Sequence, residues 1–375
     1  MLANRIRIGI VTFHSPINYG AVLQVYALQK FLRTKVDNSD VYVIDFKTQE
    51  QVNQYSVLVR FQRNIFSYAF KQIHVLLKYV QLKSRKNRFF KFVEEELALT
   101  ERYDNQEGFL KNVPEFDIYI AGSDQVFHPR SKYLKTYYLG FDKKNSIKIA
   151  YAPSFGMSAF SQEIANELKD YLADFDALSC REQDGANFIE SIVNKNVPAV
   201  VDPTFLLSAD EWNEMLIPPA SKEKYIFIYD LNGGENLVKI ANKIKKETGF
   251  KIICQTQKAH VYYNVDEIVL NTGPREFVGL IKGAQYVVTD SFHGVAFSVF
   301  LKVKFLTYIA MPNASTRVRS MLASFGLSNR IIENGQAESY VFSSIWNSDY
   351  QGLLTEKVLE SERYLLQAIN LFKSK

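Results

Sequence analysis

The sequence has few of the residues that build disulfide frameworks and structural metal sites. It contains only two cysteines, Cys180 and Cys254, in 375 residues, and both lie in apolar surroundings. No set of cysteines and histidines has the spacing of zinc ligands. We therefore expect neither a disulfide framework nor a structural zinc site, and this composition fits a reducing compartment.

Long hydrophobic runs are also missing. No apolar stretch approaches the roughly 18 residues that a membrane-spanning helix needs. The first segment, MLANRIRIGIVTF, has a short apolar run and no small-residue cleavage site, unlike a secretory signal. Hydrophobic residues make up 47% of the chain and charged residues 23%, as in soluble globular domains. We expect a cytoplasmic protein with two domains of ordinary size.

Acidic residues are absent from one long window, residues 51–93. The window contains nine lysines and arginines among many Phe, Tyr, Leu and Val residues at helical spacing, whereas the whole chain has a formal net charge of only +5. The rest of the chain is therefore net acidic. A basic amphipathic segment can lie on an anionic membrane or face a phosphate-bearing substrate, or it can be the solvated face of a helical hairpin.

Strand-like and helix-like segments alternate along the chain. The run RIGIVTF (7–13), the helical pattern at 22–33 and the run DVYVIDF (40–46) form a β–α–β start that favours a parallel sheet. Pro218 and Pro219 lie in a linker that precedes a second βα series. We predict an α/β fold with two Rossmann-like domains whose parallel sheets face a cleft. The predicted parts are domain 1–207 with a basic helical insertion at 51–95, domain 208–345, and a C-terminal helix within 346–375 that packs back on the first domain.

Polar residues and glycines concentrate at four predicted strand ends. The segments are FHSPINYGA (13–21), AGSDQVFHP (121–129), LSCREQ (178–183) and TDSFHGV (289–295). In open α/β sheets, ligands bind beyond the carboxyl ends of the strands. The first segment is neither a GxGxxG fingerprint nor a P-loop, so a dinucleotide or nucleoside triphosphate site is disfavoured.

The first two of these segments carry groups suited to a sugar. Loops of this kind offer free backbone N–H groups at a helix start and short polar side chains, although the same residues can simply form turns and caps. The candidates are Asn18, Tyr19 and Gly20 in the first segment, and Ser123, Asp124 and Gln125 in the second.

Arg181 stands at the end of an apolar strand-like run. A guanidinium has five N–H donors, so burying it is costly unless it meets an anion. Glu182 or Asp184 could be that anion within the protein. A phosphate or carboxylate ligand is the alternative.

The fourth segment repeats this pattern in the second half of the chain. Ser291 can cap the following helix, and His293 then lies in its first turn, where the helix dipole favours anionic ligands. Imidazole is suited to proton transfer near neutral pH, although a lone histidine is more often structural. Arg317 opens a later helix that we expect near the same cleft, and Asp290 could orient the loop or the imidazole.

Together these segments resemble the polysaccharide pyruvyl transferase family. The resemblance covers nearly the whole chain and is carried, in order, by NYGAVLQVYALQ, GSDQVFHP, YAPSFG, LSCREQDG, VVDPTFLL, PREFVGLIKGAQYVVTDSFHGVAFSVF and STRVRSMLASFGL. It implies a fold like that of GT-B glycosyltransferases and transfer of a pyruvyl group from phosphoenolpyruvate to a sugar, giving a pyruvate ketal. The FHP that follows SDQV departs from the family pattern and leaves the acceptor open.

The resemblance also implies roles for the candidate residues. Phosphoenolpyruvate is a donor substrate, and no other cofactor and no metal is expected. The first domain would be the acceptor side, lined by Asn18, Tyr19, Gly20, Ser123, Asp124 and Gln125. The second would be the donor side, with Asp290, Ser291, Phe292 and Gly294 at the binding loop. The catalytic set would be His293, Arg181 and Arg317. His293 would be the proton donor or a phosphate ligand, and Arg181 and Arg317 would bind the phosphate and carboxylate of the donor.

Two other functions fit parts of the sequence. The first is a GT-B glycosyltransferase that uses a nucleotide sugar, for which NGGEN (232–236) is the only candidate nucleotide-binding stretch. The second is a non-catalytic glycan-binding protein. The resemblance favours a bacterial enzyme of surface-glycan or exopolysaccharide biosynthesis. Its expected partners are a sugar or lipid-linked oligosaccharide acceptor and the inner membrane face, contacted through residues 51–93, but no nucleic acid.

Overall fold

A computed structural model of the chain describes residues 5–14, 17–48, 50, 78–142, 145–232, 234–256, 264–310, 315–335 and 349–373. These residues form two compact units. The first unit comprises the described residues within 1–52, 93–207 and 350–375, and the second those within 53–92 and 208–349. Three of the basic residues of the 51–93 window, Arg60, Arg63 and Lys71, lie outside the described residues.

The first unit is built on a four-stranded parallel sheet. Its strands are β1 (Ile6–Val11), β2 (Ser39–Val43), β3 (Ile118–Ala121) and β4 (Ile147–Ala150). They lie in the order β2-β1-β3-β4, with Ile8 opposite both Val41 and Ile118. All residues of β3 and β4 are buried, so neither strand alternates apolar with exposed polar residues. The charged residue of β4, Lys148, donates to the carbonyl of Phe141 and pairs with Asp174.

The second unit is built on a six-stranded parallel sheet. Its strands are β5 (Tyr225–Asp230), β6 (Lys251–Thr256), β7 (Glu267–Val269), β8 (Tyr286–Thr289), β9 (Lys304–Ile309) and β10 (Ile331–Glu333). Their order is β10-β9-β8-β5-β6-β7. Two parallel sheets connected by helices confirm the predicted α/β class.

Helices follow most strands. Those of the first unit are α1 (Tyr19–Lys35), α3 (Gln106–Lys111), α4 (Leu134–Tyr137), α5 (Gln162–Ala173), α6 (Gln183–Val193) and α12 (Gln351–Lys373). Those of the second are α7 (Ala209–Met215), α8 (Glu235–Thr248), α9 (Pro274–Gly283), α10 (Phe292–Phe300) and α11 (Thr316–Ser324). Helix α2 (Tyr79–Glu96) is assigned to the second unit up to residue 92. Among the helices described, none is both long and apolar enough to cross a bilayer.

Local sequence signals set several helix ends. The hydroxyl of Ser161 accepts a hydrogen bond from the Ile164 N–H at the start of α5. Ser208 and Glu211 form a reciprocal capping box at the start of α7. Gly249 ends α8 in the left-handed conformation, which glycine adopts without a steric penalty.

The basic insertion differs from the sequence-based domain assignment. Residues 51–95 were expected in the first domain, whereas the described residues up to 92 group with the second sheet. Arg88 forms an ion pair with Glu276, and the guanidinium of Arg275 lies 5.7 Å from the ring centre of Phe92. These contacts join segments that are far apart in sequence, so sequence order alone did not indicate them.

The LSCREQ segment also differs from its predicted form. A strand was expected over 176–183, but the chain pairs only at isolated bridges, Ile149 with Ala177 and Cys180 with Ala199. Pro153 and Pro198 lie beside this stretch, where their carbonyls accept hydrogen bonds from Arg181 and Cys180. Proline has no N–H to donate in return, so the ladder cannot continue there.

Aromatic side chains dominate the core of the first unit. The rings of Phe127 and Tyr138 stack at 4.1 Å, and those of Phe160 and Phe188 at 4.0 Å. The second unit has a mainly aliphatic core cluster and also buried aromatic rings, among them Tyr229, Phe277 and Phe297, which contact one another. Helix α12 packs on the first sheet, where the hydroxyl of Tyr364 donates to the carbonyl of Ala150 at 3.0 Å.

Candidate functional site

Each sheet has one point at which the strand order reverses. In the first sheet this point lies between β1 and β3, and in the second between β5 and β8. Loops that leave adjacent strands in opposite directions open a crevice there, and ligands of α/β proteins bind in it. The NYG and SDQ loops follow β1 and β3, and the TDSFH loop follows β8. Three of the four predicted segments therefore lie at the reversal points of their own sheets.

The loop after β1 is held by Asn18 and Gln24. The Asn18 side chain caps α1 by accepting hydrogen bonds from the N–H groups of Gly20 at 3.0 Å and Ala21 at 3.5 Å. The Gln24 side chain donates to the hydroxyl of Thr12 and accepts from the N–H of Ser123. Gln24, which the sequence did not single out, thus joins the two loops at the reversal point.

The loop after β3 is strained at Asp124. This residue has φ 65° and ψ −170°, a region that is nearly restricted to glycine and costs about 1–3 kcal/mol for other residues. Ser123 is fully buried, and its hydroxyl donates to the carbonyl of Ala152 at 2.7 Å. Gln125 is half-buried and lies against Gly156. A Cβ atom at position 156 would lie only 1.9 Å from the side-chain amide nitrogen of Gln125. Ser123 is therefore beneath the loop, whereas Gln125 remains partly exposed.

Arg181 lies among three carboxyl groups. Its side chain is only 3% exposed and contacts Asp202 at 2.7 Å, Asp124 at 3.6 Å and Glu182 at 3.6 Å. Burial alone would lower the pKa of Arg181, but the charges of Asp202, Glu182 and Asp124 outweigh it and raise the pKa. Glu182 is one of the internal anions that the sequence suggested. Asp124 and Asp202 add two more from distant segments, so this guanidinium is already matched with anions of the protein.

A histidine–aspartate pair that the sequence did not single out lies beside these loops. His14 follows β1 and Asp45 follows β2, the adjacent strand. The Nε2 atom of His14 is 2.8 Å from Asp45, and its Nδ1 atom is 3.3 Å from the carbonyl of Thr12. Burial tends to raise the pKa of Asp45, but the hydrogen bond and charge of His14, with Lys47 and Arg102, lower it overall. The signal available in the sequence was the position of both residues near the carboxyl ends of the predicted strands 7–13 and 40–46.

The TDSFHGV segment forms the strand–helix turn that the sequence predicted. Ser291 caps α10 by accepting a hydrogen bond from the Gly294 N–H at 3.4 Å, which confirms the predicted cap. His293 is the second residue of the helix and is buried. A Cβ atom at position 294 would lie 2.6 Å from the Thr289 hydroxyl oxygen, so only glycine lets the helix start approach β8 this closely.

Asp290 links this turn by hydrogen bonds to the residues that follow β5. Its carboxylate accepts hydrogen bonds from the backbone N–H groups of Leu231 at 2.9 Å and Asn232 at 3.1 Å, and from the Asn232 amide at 2.7 Å. Burial raises the pKa of Asp290, nearby Asp230 adds to this effect, and the hydrogen bonds from Leu231 and Asn232 oppose it. Asp290 therefore orients the loop, one of the two roles that the sequence suggested.

Arg317 lies beside the same turn. Helix α11 begins one residue before it, and its guanidinium carbon is 5.9 Å from the ring centre of Phe292. The ring of Phe292 in turn lies edge-on to that of His293, with 5.0 Å between their centres. The second unit thus brings together Arg317, Phe292 and His293, as the sequence analysis expected.

Polar groups continue along the same edge of the second sheet. The Thr256 hydroxyl donates to Asp230 at 3.2 Å, and Arg85 of α2 donates to the Thr256 carbonyl at 3.2 Å. Gln255 accepts a hydrogen bond from Thr272. Because these residues belong to separate segments, the sequence gave no sign that they would meet. Within the described parts of the chain, no three His, Cys, Asp or Glu side chains are grouped as metal ligands would be.

Comparisons with solved structures show the fold. The UDP-GlcNAc 2-epimerase of Methanocaldococcus jannaschii, solved in complex with UDP-GlcNAc and UDP, has a TM-score of 0.50 and 15% identity, covering 96% of this chain and 99% of its own. The Streptomyces sp. SF2575 glycosyltransferase SsfS6, complexed with thymidine diphosphate, has a TM-score of 0.47 and 12% identity, covering 98% and 100%. The first likeness shows the GT-B class of fold, with two Rossmann-like domains. At these identities the neighbours indicate nothing about the substrate.

Sequence comparison gives the family. No curated protein matches the chain closely enough to be reported as a relative. The sequence model described as "Polysaccharide pyruvyl transferase" matches residues 18–310, a range that begins at the NYG loop and continues past β9. The match covers well over half of the chain and includes every predicted site residue except Arg317. The chain therefore belongs to the polysaccharide pyruvyl transferase family.

Proposed function

We propose that this protein transfers the pyruvyl group of phosphoenolpyruvate to two hydroxyls of a sugar in a surface-glycan intermediate, forming a pyruvate ketal. The observation that carries the proposal is the turn at the reversal point of the second sheet, where His293 begins a helix beside Arg317. Membership of the family supports it. A cytoplasmic location in a bacterium is part of the same proposal.

The donor side suits a small dianionic substrate. The N-terminus of α10 offers backbone N–H groups and the positive end of a helix dipole, and Arg317 adds a full positive charge next to it. A phosphate group bound at this turn would place the enol of phosphoenolpyruvate close to His293. Asp290 keeps the turn in place through its three hydrogen bonds.

His293 is the proposed proton donor. Protonation of the methylene carbon of the enol gives a methyl group and an oxocarbenium-like carbon, to which the first sugar hydroxyl adds as it loses its proton. The C–O bond to phosphate then breaks, the phosphate leaves, and the second hydroxyl adds to the same carbon and loses its proton. An imidazole can give and recover a proton near neutral pH, which suits this sequence of steps.

The first unit is the proposed acceptor side. Asn18, Gln125 and Asp124 lie in the two loops at its reversal point, where sugar hydroxyls would find carboxylate and amide partners. Ser123 is fully buried, and the side chain of Arg181 is 3% exposed against 11% for Asp124, so we assign Ser123 and Arg181 to positioning Asp124 rather than to direct contact with a substrate. This assignment differs from the donor-binding role that the sequence suggested for Arg181.

Incubation of the purified protein with phosphoenolpyruvate and glycan intermediates, followed by mass spectrometry, tests the proposal. We expect release of phosphate and a mass gain of one pyruvate ketal on the acceptor. His293→Ala should abolish both. If His293→Ala, folded as judged by its melting curve, forms the ketal at the wild-type rate, the proposed role of His293 is wrong.

A matched pair of variants tests the donor site. Arg317 and Arg319 lie on the same helix, but Arg319 is paired with Glu333 at 2.7 Å. Arg317→Ala should raise the KM for phosphoenolpyruvate by at least about tenfold, because a charged hydrogen bond contributes about 1.5–3 kcal/mol. Arg319→Ala should leave the KM for phosphoenolpyruvate within about twofold of the wild-type value. Stabilisation of the protein by UDP but not by phosphoenolpyruvate would instead favour a nucleotide-sugar glycosyltransferase.

A further inference from the structure

The basic residues of helix α2 fall into two structural sets. Between residues 78 and 93 the chain has six lysines and arginines and no acidic residue. The two arginines of the first set contact other segments of the second unit: Arg85 donates to the carbonyl of Thr256, and Arg88, although its side chain is 42% exposed, pairs with Glu276. These two contacts help to hold the helix in place. The second set, Lys83 and Lys86, lies beside Tyr79 and Phe90 instead.

The inner face of α2 is well packed. Leu82, Phe89 and Phe92 are buried. The backbone of Gly273 approaches Arg88 so closely that a Cβ atom at position 273 would lie 2.6 Å from the Cβ atom of Arg88. The helix therefore has a defined orientation, and its other face is the one that carries the exposed side chains.

The outer face combines exposed apolar groups with lysines. Tyr79, Val80 and Phe90 are 38%, 79% and 43% exposed. The ammonium group of Lys83 lies 5.9 Å from the ring centre of Tyr79, and that of Lys86 lies 5.5 Å from the ring centre of Phe90. Exposed aromatic and aliphatic groups flanked by lysines are typical of helices that lie in a membrane interface.

Helix α12 provides the contrast within the same molecule. It exposes three leucines, Leu353, Leu359 and Leu371, so exposed apolar groups alone do not distinguish α2. Helix α12 carries glutamates among its basic residues, however, whereas α2 has none before Glu94. An anionic surface would attract the face of α2 and give no comparable attraction for α12.

We propose that the outer face of α2 docks on the surface of an anionic phospholipid bilayer. Tyr79, Val80 and Phe90 enter the headgroup region, and Lys83 and Lys86 bind lipid phosphates. The three glutamates at residues 94–96 keep the end of the helix away from the membrane. This docking surface is independent of the proposed transfer reaction, although it would bring the enzyme to acceptors carried on lipid.

Sedimentation with vesicles tests the proposal. The wild-type protein is mixed with vesicles of phosphatidylcholine alone or of phosphatidylglycerol and phosphatidylcholine in equal parts, at low and high NaCl. We expect co-sedimentation only with the anionic vesicles, weakened at high salt because surface charges are screened. Failure of the wild-type protein to bind anionic vesicles at low salt would overturn the proposal, and would leave a protein partner as the occupant of this face.

Two double variants with the same change in charge test whether the outer face of α2 is the surface that binds the membrane. Lys83→Glu/Lys86→Glu should weaken binding by at least about tenfold, since each lysine near an anionic surface contributes about 1 kcal/mol. Lys169→Glu/Lys239→Glu, placed on the exposed surfaces of α5 and α8, should bind nearly as well as the wild type. Equal loss in both variants would show that net charge alone drives binding and would overturn the assignment to α2. Melting curves verify that each variant is folded.

Discussion

Replacing Arg181 with methionine separates a structural from a donor-binding role for this residue. Methionine keeps much of the apolar stem and removes the guanidinium, which leaves the carboxyl groups of Asp202, Asp124 and Glu182 without their shared partner. Removing one member of a buried ion pair costs about 3–5 kcal/mol. In a unit of this size that loss lowers the melting temperature by roughly 6–20 °C.

The pH range for this measurement follows from the sign of the pKa shift. The pKa of Arg181 is raised in the folded state, so its stabilising effect is fully present below the unfolded value and is lost only as the pH rises through the folded pKa. The comparison of wild type and Arg181→Met by thermal and urea unfolding can therefore be made at any pH near neutrality. Adding Asp202→Asn to Arg181→Met should recover part of the loss, because it removes the carboxylate closest to the guanidinium.

The same variant, Arg181→Met, also tests whether Arg181 binds phosphoenolpyruvate. If Arg181 only positions Asp124, phosphoenolpyruvate should still raise the melting temperature of Arg181→Met by the wild-type amount. A destabilisation below about 1 kcal/mol, the value of an exposed ion pair, would refute the structural reasoning. Loss of stabilisation by phosphoenolpyruvate in an otherwise stable variant would restore Arg181 as a donor-binding residue.

Three further predictions follow from local geometry. Gly273→Ala should destabilise the protein by about 1–3 kcal/mol in urea unfolding, because the new Cβ atom meets Arg88, and a neutral result would contradict this packing. Asp124→Gly should be more stable than Asp124→Ala by about 1–3 kcal/mol, with both inactive in ketal formation, and equal stability would argue against backbone strain at this position. The pKa of Asp45 is lowered beside His14, so its stabilising effect is present above about pH 4 and disappears as the pH falls through the folded value. Asp45→Asn should therefore lower the melting temperature at neutral pH but not in acid, and an equal loss at both would contradict that pairing.

The departures of the fold from prediction have identifiable causes. The LSCREQ run is apolar enough to suggest a strand, but the prolines beside it end the ladder. Helix α2 precedes β3 in sequence and was assigned to the first domain for that reason. Its partners Glu276 and Thr256 come about 170 to 190 residues later and hold it to the second sheet. Neither cause is visible within a window of ten or twenty residues.

The sequence by itself determined most of the strands and helices and the positions of the loops at the NYG, SDQ and TDSFH segments. Alternation of buried strands with helices depends on local hydrophobic spacing, and the caps at Asn18 and Ser291 depend on side chains within three residues of the groups they bind. The structure bore out the two caps because hydrogen bonds within a few residues decide them. Family membership was visible in the order of the motifs, and the match of the family model over residues 18–310 confirmed it.

Only the tertiary structure decided which charges meet. It placed Arg181 among three carboxyl groups, joined His14 to Asp45, and paired two arginines of α2 with Thr256 and Glu276 of the second unit. Each of these outcomes depends on strand order and on packing between distant segments. The energy of a buried charge is set by the partners that packing brings within a few ångströms, and a linear sequence does not specify those distances.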